Sequence, residues 1–195
     1  MTGWTAVIPF KGSAARKTRL AGLFSPKQRD RLSYAMLEHT IAVLASCYAV
    51  REIAVLSDMR PSGWDGRLIN DRGQGLNTEL GSLTRSPSIR RLLIIHADLP
   101  LLKPQDIADL LDVAGQTSMA IAPDHIGTGT NAIALNDPTG FAFGFGPDSF
   151  VWHVEAGRGR AGIVRRTGLA LDMDTPDDYH QACRHNPHIS GWTTD

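Results

Sequence analysis

The chain is poor in cysteine, has no net charge and contains no long apolar run, and each shortage removes a class of protein. Its two cysteines, Cys47 and Cys183, stand far apart and outside any motif, so neither a disulfide framework nor a thiolate metal site is expected. Basic and acidic residues number 20 each, which is not the basic footprint of a nucleic-acid binder. No apolar stretch reaches membrane-spanning length and no charged-apolar-small leader is visible, so the expectation is a cytoplasmic protein with no membrane partner. Seven histidines are scattered without metal-ligand spacing, and His180, His185 and His188 fall near an end expected to be frayed and solvated. No serine sits in a glycine-flanked elbow and no cysteine in a catalytic motif, so a covalent nucleophile is not expected. The Gly-Lys-Ser/Thr ending of a Walker loop is missing as well.

What is present is an alternation of strand and helix signals over 195 residues, enough for one α/β domain with a sizeable core. Strands are expected at Trp4 to Phe10, Arg51 to Asp58, Arg67 to Ile69, Leu92 to Ile95, Met119 to Pro123, Asn131 to Leu135 and Gly168 to Asp172. Phe141 to Gly146 alternates aromatic with small residues and suits an edge strand or hairpin. Helices are expected from the Ser25-Pro26 cap to about Ala45, over Asn77 to Leu83, from Lys103-Pro104 to Gly115, from Ser149 towards Gly157, and from the Thr175-Pro176 cap onward. The domain is placed at 1–184, and 185–195 is expected to be a polar C-terminal tail.

The central reference point is Ile94-Ile95-His96-Ala97-Asp98-Leu99-Pro100. An apolar run that reads as a buried strand delivers Asp98 at its carboxyl end, where open α/β sheets bind ligands. A second acidic end follows in Leu171-Asp172-Met173-Asp174-Thr175-Pro176. Thr175, Pro176, Asp177 and Asp178 are accounted for as helix cap and dipole partners. Asp172 and Asp174 are not; two apart on an extended chain, they share a face and repel unless a cation lies between them. Oxygen-only ligands favour Mg²⁺. Lys11 to Leu20 carries four cations among small residues after the first strand, a loop suited to phosphate oxygens. Asn70 to Asn77, with Gly73 and Gly75, is a candidate base-recognition loop. Ser149, as a helix cap, would offer an anion site. Gly127-Thr128-Gly129 is not a dinucleotide fingerprint, because no helix follows it. Together these features suggest a polyphosphate held with Mg²⁺ and direct phosphoryl-type transfer, in which an acceptor phosphate, already anionic at pH 7, needs no general base.

The ordered set of motifs resembles the guanylyltransferases that activate a small phosphorylated acid in the biosynthesis of the deazaflavin coenzyme F-420. The resemblance runs from Val7 to Tyr179. It is carried by Lys11 with Ala15-Arg16-Lys17-Thr18-Arg19-Leu20, Gly75-Leu76-Asn77, Ala97-Asp98-Leu99-Pro100, Gly129-Thr130-Asn131-Ala132, Phe145-Gly146-Pro147-Asp148-Ser149-Phe150 and Leu171 to Pro176. It implies a three-layer α/β/α Rossmann-like sandwich of the nucleotide-diphospho-sugar transferase type, with a mostly parallel mixed sheet. It implies transfer of GMP from GTP to phosphoenolpyruvate, 2-phospho-L-lactate or 3-phospho-D-glycerate, with release of pyrophosphate. Asp98, Asp172 and Asp174 would hold Mg²⁺, and Lys17 and Asp98 would be the catalytic pair. Lys11, Lys17 and Arg19 would contact the GTP triphosphate, with Gly75 and Asn77 near guanine. Thr130, Gly146 and Ser149 would bind the phospho-acid. His153 stands where the family often has His, and a place on a surface helix accounts for it equally well. The implied partners are the two substrates, the next transferase of the pathway by hand-over, and a second copy of the chain as a candidate. The competing readings are a molybdopterin guanylyltransferase-like enzyme, a non-catalytic GTP-binding regulator, and a glycosyltransferase that uses Asp172-Met173-Asp174 as its metal motif.

Overall fold

A computed structural model describes residues 3–11 and 17–194; Gly12 to Arg16, part of the expected phosphate loop, lie outside the described residues. Among the described residues seven strands form one sheet: β1 (Trp4–Pro9), β2 (Val50–Ser57), β3 (Arg67–Asn70), β4 (Leu92–Ile95), β5 (Met119–Pro123), β6 (Thr130–Leu135) and β7 (Ala161–Ile163). Their spatial order is β3-β2-β1-β4-β6-β5-β7. β6 runs antiparallel to its neighbours β4 and β5, and the other pairings are parallel. The helices are α1 (Pro26–Ser46), α2 (Leu76–Leu83), α3 (Pro104–Thr117), α4 (Ser149–Ala156), α5 (Thr167–Ala170) and α6 (Pro176–His185).

The apolar runs of the central strands divide by residue parity. Ala6, Ile8, Leu93 and Ile95 face one core with Leu37, Leu44, Leu110 and Leu111 of α1 and α3. Val7, Leu92 and Ile94 face the other, with Leu80 and Leu83 of α2. A strand buried on both faces has no polar side to present, so its sequence is continuously apolar. The result is the expected three-layer sandwich. β1 lies between β2 and β4; the crossover from β1 to β2 runs through α1 on one face of the sheet, and the crossover from β3 to β4 runs through α2 on the other. The crevice at that switch point, beyond the carboxyl ends of β1 and β4, is where the site residues gather.

Local capping chemistry explains where two helices begin. Ser25 accepts from the Gln28 amide and Gln28 answers from its side chain; Thr175 and Asp178 form the same reciprocal box. Three expectations are corrected. Gly168 to Asp172 is not a strand: Thr167–Ala170 is a single helical turn. β7 already takes the sheet edge beside β5, and the buried Asn131 amide donates to the carbonyls of Leu169 and Ala170 at 3.0 Å each. Gly168 is required there, because a Cβ would lie 2.6 Å from the Leu101 carbonyl oxygen. Phe141 to Gly146 is not a strand or hairpin either. Side chains take its backbone groups: Gly144 N–H donates to His153, and Asn77 bonds both Phe145 N–H and Phe145 C=O.

The third correction is the tail. α6 continues through His185, and Pro187–Thr193 forms a 3-10 helix whose N-cap Asn186 accepts from the His188 amide. Ile189 is fully buried in a cluster with Leu20, Leu32, Met36, Leu101, Leu171, Met173 and Ala182. Polar composition hid one apolar anchor. Truncating it, Ile189→Ala, is expected to lower stability by about 2–4 kcal/mol in urea unfolding; a change below about 0.5 kcal/mol would mean that this segment does not pack on α1 and α6.

Candidate active site

Two cavities meet at the carboxyl end of β4. One, of about 280 Å³, is lined by Pro9, Phe10, Lys11, Lys17, Ser33, Met36, His96, Ala97, Asp98 and Asp174. The other, of about 380 Å³, is lined among others by Thr130, Asn131, Gly146, Ser149 and Asp172, and shares His96, Asp98 and Asp174 with the first. A larger hollow of about 600 Å³ lies beside α3 and α5, but its acid, Asp106, is already paired with Arg166 at 3.1 Å. The paired cavities are therefore the candidate site.

At their junction the Lys17 ammonium bonds Asp98 Oδ2 at 2.6 Å and Asp174 Oδ1 at 2.7 Å. Lys17 has a left-handed backbone, φ 51°. Burial alone would lower the Lys17 pKa, but the two carboxylates outweigh it and raise it. Burial alone would raise Asp98; the ammonium and the nearby His96 overcome that and hold its carboxyl below the usual range. Asp98 Oδ1 is buried without a hydrogen-bond partner among the described residues. Asp172 is pushed up, first by burial and then by the charge of Asp98, with the Asn131 amide offsetting part of this. Arg19 reaches Asp174 at 3.6 Å from an exposed position.

The two acidic segments are tied together by the backbone. Met173 N–H donates to the Asp98 carbonyl at 3.0 Å, and Leu171 and Met173 are buried. Asp172 and Asp174 thereby alternate out to the cavity, sharing a face although the segment is not a strand. The donor set, three carboxylates with one orphaned buried oxygen, suits a hard divalent cation. Among the described residues no three acidic, histidine or cysteine side chains already enclose an ion site; in this arrangement the Lys17 ammonium supplies the countercharge.

The expected acceptor residues Thr130, Gly146 and Ser149 do come together in the second cavity. Gly146 has φ 134°, a backbone that L side chains avoid. Ser149 is not the cap of α4: Asp148, with φ 56°, occupies the N-cap without a side-chain bond. Ser149 Oγ instead accepts from Thr130 N–H at 3.0 Å. Gly75, φ 90°, is the N-cap of α2, and Asn77 is bonded through both ends of its amide to Phe145, N–H at 2.8 Å and C=O at 3.0 Å. Asn77 thus clamps the α2 loop to the Gly146 loop. Lys11 is exposed and lines the first cavity.

Sequence reasoning gave no role to Asn131 or His125 and left His153 between a family position and a surface helix. Asn131 donates to Asp172 Oδ1 at 3.3 Å. His125 lies 3.7 Å from Asp172 and 3.9 Å from Asp178. His153 is wholly buried rather than on a surface face, with Nδ1 at 2.9 Å from Thr130 Oγ1 and Nε2 accepting from Gly144 N–H at 3.2 Å. For Asn131 and His153 the available signal was a polar residue inside an otherwise apolar strand or helix face; nothing local distinguished His125.

Burial, helped by the charge of His96, lowers the His153 pKa from 6.5 to about 4. The folded chain therefore binds this proton less readily than the unfolded chain. The corresponding stability is fully present above pH 6.5 and is lost as pH falls towards 4, on the order of 2–3 kcal/mol. His153→Phe should remove that part of the acid sensitivity. Urea unfolding at pH 7 and pH 4.5 tests this; an unchanged difference between the two pH values in the variant would refute it.

Comparison with known proteins gives concordant matches. The family model described as guanylyl transferase CofC-like matches residues 4–187. The phosphoenolpyruvate guanylyltransferase of Rubrobacter xylanophilus is 37% identical over 186 residues, covering 89% of this chain and 90% of that protein. Among solved structures, a Desulfovibrio desulfuricans G20 protein assigned to the nucleotide-diphospho-sugar transferases superposes with a TM-score of 0.74 at 16% identity, covering 98% of this chain and 99% of that one. A Mycobacterium tuberculosis H37Rv protein solved in complex with manganese superposes with a TM-score of 0.56 at 18% identity, covering 94% and 98%. At these identities the solved structures speak for the fold, and the fold is of the nucleotide-diphospho-sugar transferase type.

Proposed function

Since the chain belongs to the CofC-like guanylyl transferase family, we propose that it transfers GMP from GTP to a small phosphorylated acid, with phosphoenolpyruvate the first candidate. The observation that carries this reading is the buried Lys17 ammonium between Asp98 and Asp174, set where a cation-lined cavity meets one lined by hydroxyl and amide donors. The two cavities would hold the two substrates on either side of the reacting phosphorus. A phosphate oxygen of the acid attacks the α-phosphorus of GTP, the new P–O bond forms, and the bond to the β-phosphate oxygen breaks to release pyrophosphate. The attacking oxygen is already anionic, so positioning and charge neutralisation supply the catalysis.

Lys11, Lys17 and Arg19 would take the triphosphate, and Thr130, Gly146 and Ser149 the acid. Asp98, Asp172 and Asp174 would hold a divalent cation, for which Mg²⁺ is our choice; when bound, it would neutralise charge on the phosphates. The manganese in the M. tuberculosis neighbour supports a divalent site in this fold. Asn77, committed to Phe145, would shape the base pocket indirectly rather than contact guanine. The setting we propose is coenzyme F-420 biosynthesis in the cytoplasm, with the product handed to the next transferase. No helix among the described residues is long and apolar enough to cross a membrane.

Pyrophosphate release from GTP and Mg²⁺ with each of the three phospho-acids, with ATP and CTP as controls, tests the reading. Release with one acid and only GTP is expected; no release with any acid would sink it. Asp98→Asn should lower turnover by at least about a hundredfold with an unchanged circular-dichroism spectrum, and wild-type activity in that variant would remove Asp98 from the chemistry. Ser149→Ala should raise the KM of the acid by about tenfold and that of GTP far less; the reverse ratio would move Ser149 to the nucleotide side.

A further inference from the structure

His153 makes two hydrogen bonds, and together they determine where its proton is. Gly144 N–H points at Nε2 from 3.2 Å. A backbone N–H can only donate, so Nε2 must be bare and act as acceptor. The proton of the neutral ring is then on Nδ1, which faces Thr130 Oγ1 at 2.9 Å. Nδ1–H donates, and Thr130 Oγ1 accepts. The doubly protonated ring is excluded twice over, by the opposing Gly144 N–H and by a pKa near 4 set by burial and the charge of His96.

The consequence falls on the hydroxyl. A free threonine hydroxyl can rotate to donate or accept. With one of its two lone pairs taken by the imidazole N–H, Thr130 cannot give its proton to His153, and no other acceptor for that proton is found among the described residues. Ser149 is handled in the same way: Thr130 N–H occupies its Oγ as acceptor. Both residues line a cavity that also contains Asp98, Asp172 and Asp174. An anion entering such an acidic cavity needs donors held in place beforehand, because a hydroxyl presenting its lone pair would repel it.

We propose that His153 is a positioning residue that turns the Thr130 hydroxyl proton away from the ring, so that it is given into the second cavity, towards the anionic group of the acceptor acid. The proposal rests on the reading of that cavity as the acceptor site. It deepens that reading by giving the site a built-in preference for anions that does not depend on a lysine or arginine among the lining residues.

The first test needs no turnover. Long-range ¹H–¹⁵N spectra of the wild-type protein at pH 7, with the His153 ring assigned by its loss in H153L, should show Nδ1 protonated and Nε2 bare. The opposite tautomer overturns the proposal. The second test is kinetic. His153→Leu should raise the acid KM by about tenfold, with kcat and the GTP KM changed by less than about twofold. His153→Asn can place an amide N–H where Nδ1–H was and should recover most of the loss. Equal effects of Leu and Asn would reduce His153 to a space-filler and overturn the proposal. In a Thr130→Val background the difference between Leu and Asn should vanish, and its persistence would be equally fatal. If the wild-type protein releases pyrophosphate with none of the acids, the acceptor reading fails and the tautomer alone decides the His153–Thr130 arrangement.

Discussion

The site depends on a concentration of negative charge that the fold cannot leave uncompensated. Asp98, Asp172 and Asp174 converge at the carboxyl end of one strand, each partly out of water, where like charges repel strongly. The Lys17 ammonium settles two of them directly. Asp172 is left with an amide from Asn131 and a pKa raised by its neighbours. That imbalance suits a guanylyl transferase, whose substrates bring several negative charges of their own and whose proposed cofactor is a divalent cation.

Much of the surrounding structure can be understood as holding that cluster still. Met173 is buried and its amide is tied to the Asp98 carbonyl, so the two acidic segments move as one. Asn131 pins the turn before Asp172. The 3-10 helix at the C-terminal end inserts Ile189 into the cluster that also holds Met173 and Leu20, the residue that follows the Thr18-Arg19 pair. A small apolar cluster thus links the cationic loop, the acidic segment and the end of the chain. On the other side, Asn77 and His153 bond successive residues of one loop, Phe145 and Gly144. The α2 loop and the Gly146 loop, which both flank the second cavity, are thereby fixed relative to each other.

The sequence was most informative where a local rule acts alone. β4 was legible because a doubly buried strand must be continuously apolar, and Asp98 was legible because it interrupts that run at its end. The Ser25-Pro26 and Thr175-Pro176 caps were legible because capping is completed within four residues. Asp172 and Asp174 stood out because capping left them unexplained. Reading failed where a distant side chain took over the backbone. The phenylalanine alternation at 141–145 has the period of a strand, yet Asn77 and His153 take its hydrogen bonds. Gly168 to Asp172 has strand-like residues, yet Asn131 holds its carbonyls in a turn. Ser149 follows Pro147-Asp148 as a cap would, yet its hydroxyl is engaged by an amide nineteen positions away in sequence.

By itself, then, the sequence determined most of the strand and helix alternation, Asp98 at a strand end, the unexplained Asp172 and Asp174 pair, the cationic loop after the first strand and a family resemblance spanning nearly the whole chain. These follow from period, caps and short motifs, all of which act over a few residues. Tertiary structure alone decided that Lys17 sits between Asp98 and Asp174, 81 and 157 positions away. It also decided that His153 is buried against Thr130, that Asn77 bonds the backbone of Phe145, and that the apparent tail packs through Ile189. Each of those outcomes depends on which distant groups become neighbours once the sheet is assembled. Hydrogen-bond partners and desolvation in the interior are properties of that assembly, not of any local stretch of chain.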